Sequence, residues 1–336
     1  LHTILHSAMF ARAASRANLT CRRFIATQVS TKGKLYFQSD KVPRSILSTG
    51  KVGTNRDLLG SDGEFFGTDP VGLEVEIQSG RDEALTLDNN GFCLLPHVWK
   101  HIDYYDHDQV INSYYAECEA IVREATGASR AVAFDHNLRA KQRKQAGDRL
   151  RGGSAVQEPL VTYGVHNDYT LTSAAQRIRQ LAKPASKNDT TGTSLLDPTE
   201  VEGLLKKRWI FVNVWRNVAE SPVECFPLAA CDAKSLAVED LIVFEIRYAD
   251  RVGENYFARY SNAQRWFYFP RMEKDEVMLL KCWDSRGEDF IKFGEVDGPK
   301  VPATFSLHGS FEDMGSPPSA TDRESIEVRL VAFYDE

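Results

Sequence analysis

The sequence has no long apolar run. None of its 336 residues belongs to a stretch approaching the roughly 18 uninterrupted apolar residues that a membrane-spanning helix needs. The mean hydropathy of −0.37 agrees with this exclusion. A content of 42% apolar and 26% charged residues is that of an ordinary soluble globular protein, so we expect a sizeable core and no membrane partner.

The sequence also lacks the spacing motifs of several protein classes. It has no CxxC pair, no phosphate-cradling glycine motif and no internal repeat, which argues against Rossmann and P-loop proteins. Its cysteines are too sparse for a disulfide framework, and we interpret them as reduced thiols of an intracellular protein. The six cysteines are Cys21, Cys93, Cys118, Cys225, Cys231 and Cys282.

Acidic residues are absent from residues 1–34. This segment carries six basic residues and therefore a charge of +6. Because the net charge of the whole chain is −6, the remaining residues carry −12. An acidic body argues against a nucleic-acid partner, because Lys and Arg must neutralise phosphates. We therefore expect a small-molecule substrate. The sequence leaves open whether the protein forms a homodimer.

The N-terminal composition bears on domain organisation and location. A basic, acid-free, Ser- and Ala-containing start resembles a mitochondrial transit peptide, although part of it could equally be a translated leader. We expect residues 1–50 to be a targeting or disordered extension and residues 51–336 to be the folded domain. The expected location is cytoplasmic, or mitochondrial if residues 1–34 are a true transit peptide.

The body of the sequence reads as mainly β. From residue 208 onward, runs rich in β-branched and aromatic residues alternate with turn residues, without a βαβ rhythm. This pattern predicts a jelly roll or sandwich with flanking helices. A helix is predicted from Asp106 or Asp108 to Gly127, and another from Ser173.

Smaller elements are predicted between these. Asn90-Gly91 indicates a turn between two strands. Residues 130–134 look like a strand, 137–158 like a polar surface excursion, and 159–165 like a β-rich run.

Histidines are scarce in the β-rich half, and their spacing suggests a metal site. His166 and Asp168 are two residues apart, so on an extended strand both side chains point to the same side. His308, in another β-like run, could supply a third ligand. Two imidazoles and one carboxylate form the facial triad of non-haem iron(II) oxygenases.

Several observations argue against assigning a metal site from the HxD pattern alone. The HxD pattern is common by chance, and His101 and Asp103 form a second copy, at the approach to a helix without a preceding strand. His136 is better explained as a hydrogen-bonded residue than as a ligand.

A pair of residues after His308 suits a dicarboxylate co-substrate. The distal carboxylate of such a molecule needs a bidentate guanidinium and a hydroxyl donor. Arg323 and Ser325 have those groups at a same-face spacing, with Arg323 nearer the loop from His308. Arg329 is a rival for the same role, and a solvated strand arginine is the alternative for either.

Several ordered motifs resemble one protein family. The chain from about Val75 to its end is similar to the CmcJ/NvfI/AsaB-like oxidoreductases, a family that includes a cephalosporin 7-alpha-methoxylase component, gibberellin desaturase and fungal hydroxylases or desaturases. It departs from that pattern at Asn217, where family sequences often have Pro. The motifs are VHNDYT (165–170), FVNVWRN (211–217), PLAACDAKSL (227–236), RWFYFPRMEKDEVMLLKCWDS (265–285), SLHGSF (306–311) and DRESIEVRLVAFY (322–334).

The resemblance implies a cupin-like double-stranded β-helix that binds Fe(II), uses 2-oxoglutarate and O2 as co-substrates, and hydroxylates or desaturates a secondary metabolite. It implies His166, Asp168 and His308 as iron ligands and catalytic residues, with Arg323 and Ser325 at the 2-oxoglutarate carboxylate. Two alternatives remain: a cupin-type iron dioxygenase without 2-oxoglutarate, and a non-catalytic jelly-roll binding protein.

Overall fold

The chain folds mainly into β-strands with a few helices. A computed structural model describes residues 30–57, 62–100, 102–146, 156–183, 194–249, 251–290 and 298–335. The strands in these ranges are β1 (Ser30–Gln38), β2 (Gly53–Arg56), β3 (Asp62–Phe66), β4 (Pro70–Ser79), β5 (Phe92–Pro96), β6 (Arg130–Ala140), β7 (His166–Asn167), β8 (Trp209–Asn217), β9 (Leu228–Cys231), β10 (Leu241–Arg247), β11 (Val252–Ala258), β12 (Trp266–Tyr268), β13 (Glu276–Asp284), β14 (His308–Ser310), β15 (Glu312–Asp313) and β16 (Glu324–Phe333).

Helices are short apart from one on the outer side of a sheet. They are α1 (Leu87–Asn90), α2 (His107–Gln109), α3 (Tyr115–Thr126), α4 (Lys141–Gln145), α5 (Ser173–Leu181) and α6 (Val201–Leu204), with a π-helical turn (Val110–Tyr114) joining α2 to α3. Single 3-10 turns lie at Val161–Tyr163, Ala233–Ser235, Val238–Asp240 and Glu288–Phe290. The helix predicted from Asp106 is confirmed: the Asp106 carboxylate accepts hydrogen bonds from two backbone amides of the first turn, and Gly127 ends α3 in the left-handed conformation.

Two sheets form the body. The larger has eleven strands in the order β15-β1-β4-β12-β9-β14-β7-β11-β10-β2-β3, and the smaller has five in the order β5-β13-β8-β16-β6. Most neighbours are antiparallel, and the exceptions are β2 beside β10 and β4 beside β12. One apolar cluster combines side chains of both sheets, for example Leu35 and Ile77 from one with Phe211 and Val331 from the other, so the sheets pack face to face.

Strand β8 lies at the centre of the smaller sheet and is buried along its whole length. On one side, Val212 and Val214 belong to an apolar cluster with the α3 residues Cys118 and Val122. Trp215 belongs to a different cluster, between the sheets. Cover on both faces explains why the β8 sequence is a nearly continuous apolar run rather than an alternating one.

The N-terminal boundary differs from the sequence-based expectation. Residues 1–50 were expected to precede the folded domain, but β1 pairs with β4 from Ser30 to Gln38, and Leu35 and Phe37 are fully buried. The strand alternates: Leu35 and Phe37 face the core, whereas Lys32 lies on the exposed face. The basic residues that suggested a leader are thus partly the outer face of a core strand. Residues 1–29 lie outside the described residues.

Two further local predictions were wrong, and a third, the strand at residues 130–134, was confirmed but too short. Asn90-Gly91 is not a hairpin turn: Thr86 caps the short helix α1, and Gly91 ends it at a φ of 86°. The strand predicted at 130–134 continues to Ala140, because the polar residues that follow share a face between the sheets. The β-rich run before His166 is a 3-10 turn, and only His166 and Asn167 form a strand.

Two further findings concern the helices and the cysteines. In the described part of the chain, no helix combines the length and the apolar character needed to cross a membrane. All five cysteines in the described ranges are free thiols.

Candidate functional site

The two histidines of the predicted triad are cross-strand neighbours. His166 on β7 lies directly opposite His308 on β14 in the antiparallel ladder of the larger sheet. Their ring centroids are 4.8 Å apart. The sheet therefore brings together two imidazoles that are far apart in the sequence.

Each histidine is oriented by a backbone carbonyl. The Nδ1 atom of His166 is 3.0 Å from the carbonyl oxygen of Gly164, and Nδ1 of His308 is 3.1 Å from that of Ser306. Because a carbonyl oxygen can only accept, Nδ1 of each ring is assigned a proton. The lone pair then lies on Nε2, the tautomer that a metal-binding histidine needs.

Asp168 completes the cluster with one of its two carboxylate oxygens. Its Oδ1 atom is 3.7 Å from Nε2 of His166. Its Oδ2 atom accepts hydrogen bonds from Nδ2 of Asn213 at 2.9 Å and from Nε of Arg329 at 3.2 Å. The carboxylate is thus held through Oδ2, and its Oδ1 faces His166.

The electrostatics of the cluster keep Asp168 ionised and His166 neutral. Burial opposes ionisation of Asp168, but the guanidinium of Arg329, together with the two imidazoles, holds the pKa of that carboxyl far below its usual range. Burial, with His308 nearby, lowers the pKa of His166 to about 4. A neutral imidazole and an ionised carboxylate are the protonation states of metal ligands.

The three side chains are close enough to bind one metal ion together. One donor atom from each of His166, Asp168 and His308 lies within 4.8 Å of the others. His308 is buried and the other two are partly buried. Two imidazole nitrogens and one carboxylate oxygen are the ligands that non-haem iron(II) prefers, so the donor set fits that metal.

Arg323 is a buried cation that forms no ion pair with a carboxylate of the described residues. It is 3% exposed, and its Nη1 donates to Ser310 Oγ at 2.9 Å and to the carbonyl of Phe226. Within the described part of the chain, its Nε has no hydrogen-bond partner. The Trp215 ring is buried, and its centroid lies 5.6 Å from the guanidinium carbon of Arg323. Burial, with Arg139 nearby, lowers the pKa of Arg323 to about 9.

Arg329 differs from Arg323 in its partners. Besides Asp168, its guanidinium contacts Asp135 at 2.9 Å and Glu327 at 3.4 Å. Its charge is therefore already neutralised by carboxylates of the protein. Ser325, the other predicted co-substrate residue, is buried on β16 opposite Asn217 and Arg139 of the neighbouring strands.

The remaining histidine candidates lie elsewhere. His101 is outside the described residues, so the second HxD copy cannot be placed. His136 is buried on β6, where Nδ1 lies 2.8 Å from the Tyr115 hydroxyl and its ring lies against that of His107. This agrees with its interpretation as a hydrogen-bonded residue.

Sequence reasoning missed the residues that surround the triad. Asn213 was singled out only as part of a matched strand, and its bond to Asp168 joins the two sheets. Tyr163 packs edge-on against His166 with ring centroids 5.0 Å apart. No local pattern identifies either residue, because each contact depends on how distant strands are arranged.

The chain is similar to several known proteins. Residues 59–333 match the family model described as Oxidoreductase/YMDC permease-like domain. The chain is 33% identical over 206 residues, 58% of its length and 94% of the relative's, to an uncharacterized protein in the dcmA 3′ region of Methylophilus leisingeri. It is 27% identical over 317 residues to the Fe(II)/2-oxoglutarate-dependent dioxygenase nvfI of Aspergillus novofumigatus, covering 92% of this chain and 94% of that protein.

The fold also has a solved counterpart. A structure of the iron and alpha-ketoglutarate-dependent endoperoxidase NvfI, described as a different conformation, superposes with a TM-score of 0.69 at 22% identity. The alignment covers 92% of this chain and all of the other. The likeness extends over nearly the whole chain and shows that the fold is shared.

Proposed function

Because the chain belongs to the Oxidoreductase/YMDC permease-like domain family, we propose that it is an Fe(II)- and 2-oxoglutarate-dependent oxygenase that hydroxylates or desaturates a small organic metabolite. The observation that carries the proposal is the convergence of His166, Asp168 and His308. Relatives of this chain named as hydroxylases/desaturases or as 2-oxoglutarate-dependent dioxygenases support the same reaction class. The proposed architecture is a double-stranded β-helix.

The three residues of the cluster would hold the iron. His166 and His308 would each bind through Nε2, and Asp168 through Oδ1, because the other nitrogen of each ring and the other oxygen of the carboxylate are already hydrogen-bonded. Three protein ligands leave further coordination positions for small molecules. Asn213 and Arg329 would keep the carboxylate in place and ionised.

Arg323 would bind the distal carboxylate of 2-oxoglutarate, with Ser325 assisting. Its guanidinium lacks a carboxylate within 4.0 Å among the described residues, whereas Arg329 contacts three. A buried unpaired cation is costly, so an incoming carboxylate gains a strong charge-assisted pair at this position. Trp215 lies on one face of the guanidinium and limits its movement.

When bound, iron with 2-oxoglutarate and O2 supplies oxidative decarboxylation to succinate and CO2, coupled to oxidation of a C–H bond of the substrate. The protein's part is to orient the reactants and to exclude water. The rings of Tyr163, Phe257 and Phe244 pack in sequence beside His166 and give this side of the site an apolar wall. Such a wall suits an organic metabolite.

The compartment and assembly are proposed from the sequence. We favour a cytoplasmic enzyme, or a mitochondrial one if the basic N-terminal residues direct import, and a monomer or homodimer without nucleic-acid or membrane partners. Import of the full chain into isolated mitochondria separates the two locations.

Release of succinate tests the function. The chain is loaded with Fe(II) without oxygen and then given ascorbate, 2-oxoglutarate, O2 and a library of metabolites. We expect substrate-stimulated succinate from the wild type and none from His308→Ala, with Lys144→Met as a surface control. Iron-dependent O2 uptake without succinate would favour a cupin-type dioxygenase, and failure to bind iron would favour a binding protein.

A further inference from the structure

Ser310 lies two residues after the candidate metal ligand His308 on the short strand β14. Because alternate residues of a strand share a face, the two side chains lie on the same side of the larger sheet, about 6.4 to 6.8 Å apart along the strand. The Oγ atom of Ser310 accepts a hydrogen bond of 2.9 Å from Nη1 of Arg323. One strand therefore carries both a candidate metal ligand and a partner of the proposed co-substrate anchor.

Apolar side chains surround this part of β14. On the neighbouring strand β9, Ala230 is opposite His308 and Leu228 is opposite Ser310. Both apolar residues belong to the cluster between the sheets that also contains Trp215. The hydrogen bond between the serine and the guanidinium is thus formed in a region of low dielectric constant, where a charged hydrogen bond is stronger than in water.

A second acceptor for the same guanidinium nitrogen comes from a strained residue. The backbone carbonyl of Phe226 accepts a hydrogen bond from Nη1 of Arg323. Phe226 has a φ of 46°, in the left-handed region that bulky residues rarely adopt. A conformation of this kind persists only where the surrounding structure imposes it, so the position of the carbonyl is fixed. Nη1 is therefore held by two acceptors, the Ser310 hydroxyl and the Phe226 carbonyl.

These two contacts leave one edge of the Arg323 guanidinium free. Within the described part of the chain, neither Nε nor Nη2 forms a hydrogen bond. A carboxylate binds a guanidinium best through two parallel N–H groups, and the Nε–Nη2 edge offers such a pair. We propose that Ser310 is a positioning residue for the co-substrate. It holds Nη1 so that the Nε–Nη2 edge receives the distal carboxylate of 2-oxoglutarate; this rests on the proposed function.

The test compares two ligands that differ only at the distal end. 2-Oxopentanoate has the carbon chain of 2-oxoglutarate, with a methyl group in place of the distal carboxylate. Each ligand is titrated calorimetrically into protein loaded with Mn(II), and we expect the wild type to prefer 2-oxoglutarate. Ser310→Ala should reduce this preference about tenfold, because a hydrogen bond to a charged group is lost. The affinities for 2-oxopentanoate and for Mn(II) should not change.

Three further variants assign the effect to the hydroxyl group. Ser310→Thr keeps the hydroxyl and should retain most of the preference. Ser310→Cys, whose thiol is a weak acceptor of similar size, should lose it and gives the same comparison in case Ser310→Ala does not fold. The matched control Ser173→Ala removes another buried hydroxyl, which donates to the backbone carbonyl of Glu254 at 2.9 Å, and should leave the preference unchanged.

Several outcomes would overturn the inference. One is a wild type without any preference for 2-oxoglutarate, and another is a full preference in Ser310→Ala or Ser310→Cys. Equal losses of affinity for both ligands would also overturn it, because they indicate a purely structural role for the serine.

The same experiment separates this inference from the proposed function. Failure of the wild type to bind Mn(II) or 2-oxoglutarate contradicts the oxygenase itself. Normal binding of both by the wild type, with a preference for 2-oxoglutarate that does not depend on the hydroxyl, contradicts only the role of Ser310.

Discussion

Asp168 has different partners for its two carboxylate oxygens, and this asymmetry determines what it can do. Oδ2 is engaged by Asn213 and Arg329, and Oδ1 faces His166. Groups that orient metal ligands from behind commonly contribute tenfold to 100-fold in metal affinity. Asn213 and Arg329 are thus positioning residues for the carboxylate.

Removing either positioning residue should weaken metal binding. We expect Asn213→Ala and Arg329→Met each to lower Mn(II) affinity by about 10- to 100-fold, measured by titration of free Mn(II) in electron paramagnetic resonance. Arg329→Lys should restore part of the loss because it keeps the positive charge. Unchanged Mn(II) affinity in both variants would show that the site does not depend on this support.

We expect Arg323 to affect the affinity for the co-substrate and not the affinity for the metal. A lysine cannot reproduce the guanidinium fork, and losing one charge-assisted pair in a desolvated site costs about 2 to 3 kcal/mol. Arg323→Lys should therefore raise the 2-oxoglutarate requirement about 30- to 150-fold, at about tenfold per 1.4 kcal/mol. The opposite pattern, a loss of co-substrate affinity in Arg329→Lys but not in Arg323→Lys, would assign the anchor to Arg329.

His136 should make stability depend on pH. Burial lowers the pKa of this histidine to about 4, from 6.5 in the unfolded chain. Between pH 6.5 and pH 4 the unfolded state binds a proton at this histidine that the folded state does not. The contribution of the neutral His136 ring to the free energy of unfolding is therefore complete above pH 6.5 and is lost as the pH falls to 4. The shift corresponds to about 3 kcal/mol.

The pH effect is measured by chemical denaturation at pH 7 and pH 4. Between pH 7 and pH 4, we expect the free energy of unfolding of His136→Gln to fall by about 3 kcal/mol less than that of the wild type. The reason is that only the wild type has this buried ring to protonate. Since the other groups titrate equally in both proteins, the difference isolates His136. An equal fall in the free energy of unfolding of both proteins would contradict the buried, neutral state of the ring.

At the scale of secondary-structure elements, β1 shows that part of the basic N-terminal segment belongs to the folded domain. It pairs with β4 along nine residues and with β15 on its other side, and Leu35 is completely buried. The sequence made these residues look like a leader because Lys32 and Lys34 continue the basic composition of the segment before them. Composition averages over residues, whereas a strand is defined by alternation.

Truncating a core side chain of β1 should destabilise the whole domain. Leu35→Ala should cost about 2 to 5 kcal/mol in the free energy of unfolding, and the outward-facing Lys32→Ala less than about 0.5 kcal/mol. Urea denaturation of the two variants checks this. Equal, small effects would mean that β1 is a loosely attached extension.

Other elements show where sequence patterns suffice. Long strands such as β8, β13 and β16 were visible because β-branched and aromatic residues recur over nine or ten positions. The two-residue strand β7 was not, since too few residues carry any period. The triad was predicted from residue types and a two-residue spacing, but the Asn213 bond and the Arg329 contacts depend on the register between strands and on how the two sheets face each other.

At the scale of the whole molecule, the two sheets create the site by bringing different residues together. The larger sheet contributes His166 and His308, and the smaller contributes Asn213 and Arg329. Neither sheet alone has both the candidate ligands and the residues that support them. We therefore expect metal binding to require that the two sheets are packed together.

Anomalous diffraction from crystals grown with Fe(II) or Mn(II) under anaerobic conditions would show directly whether the triad binds a metal. We expect one strong peak per chain, bound by Nε2 of His166, Nε2 of His308 and Oδ1 of Asp168, with Asp168 Oδ2 still hydrogen-bonded to Asn213. Metal–nitrogen distances should be about 2.0 to 2.2 Å. No peak at this position, or a peak bound by other residues, would contradict it.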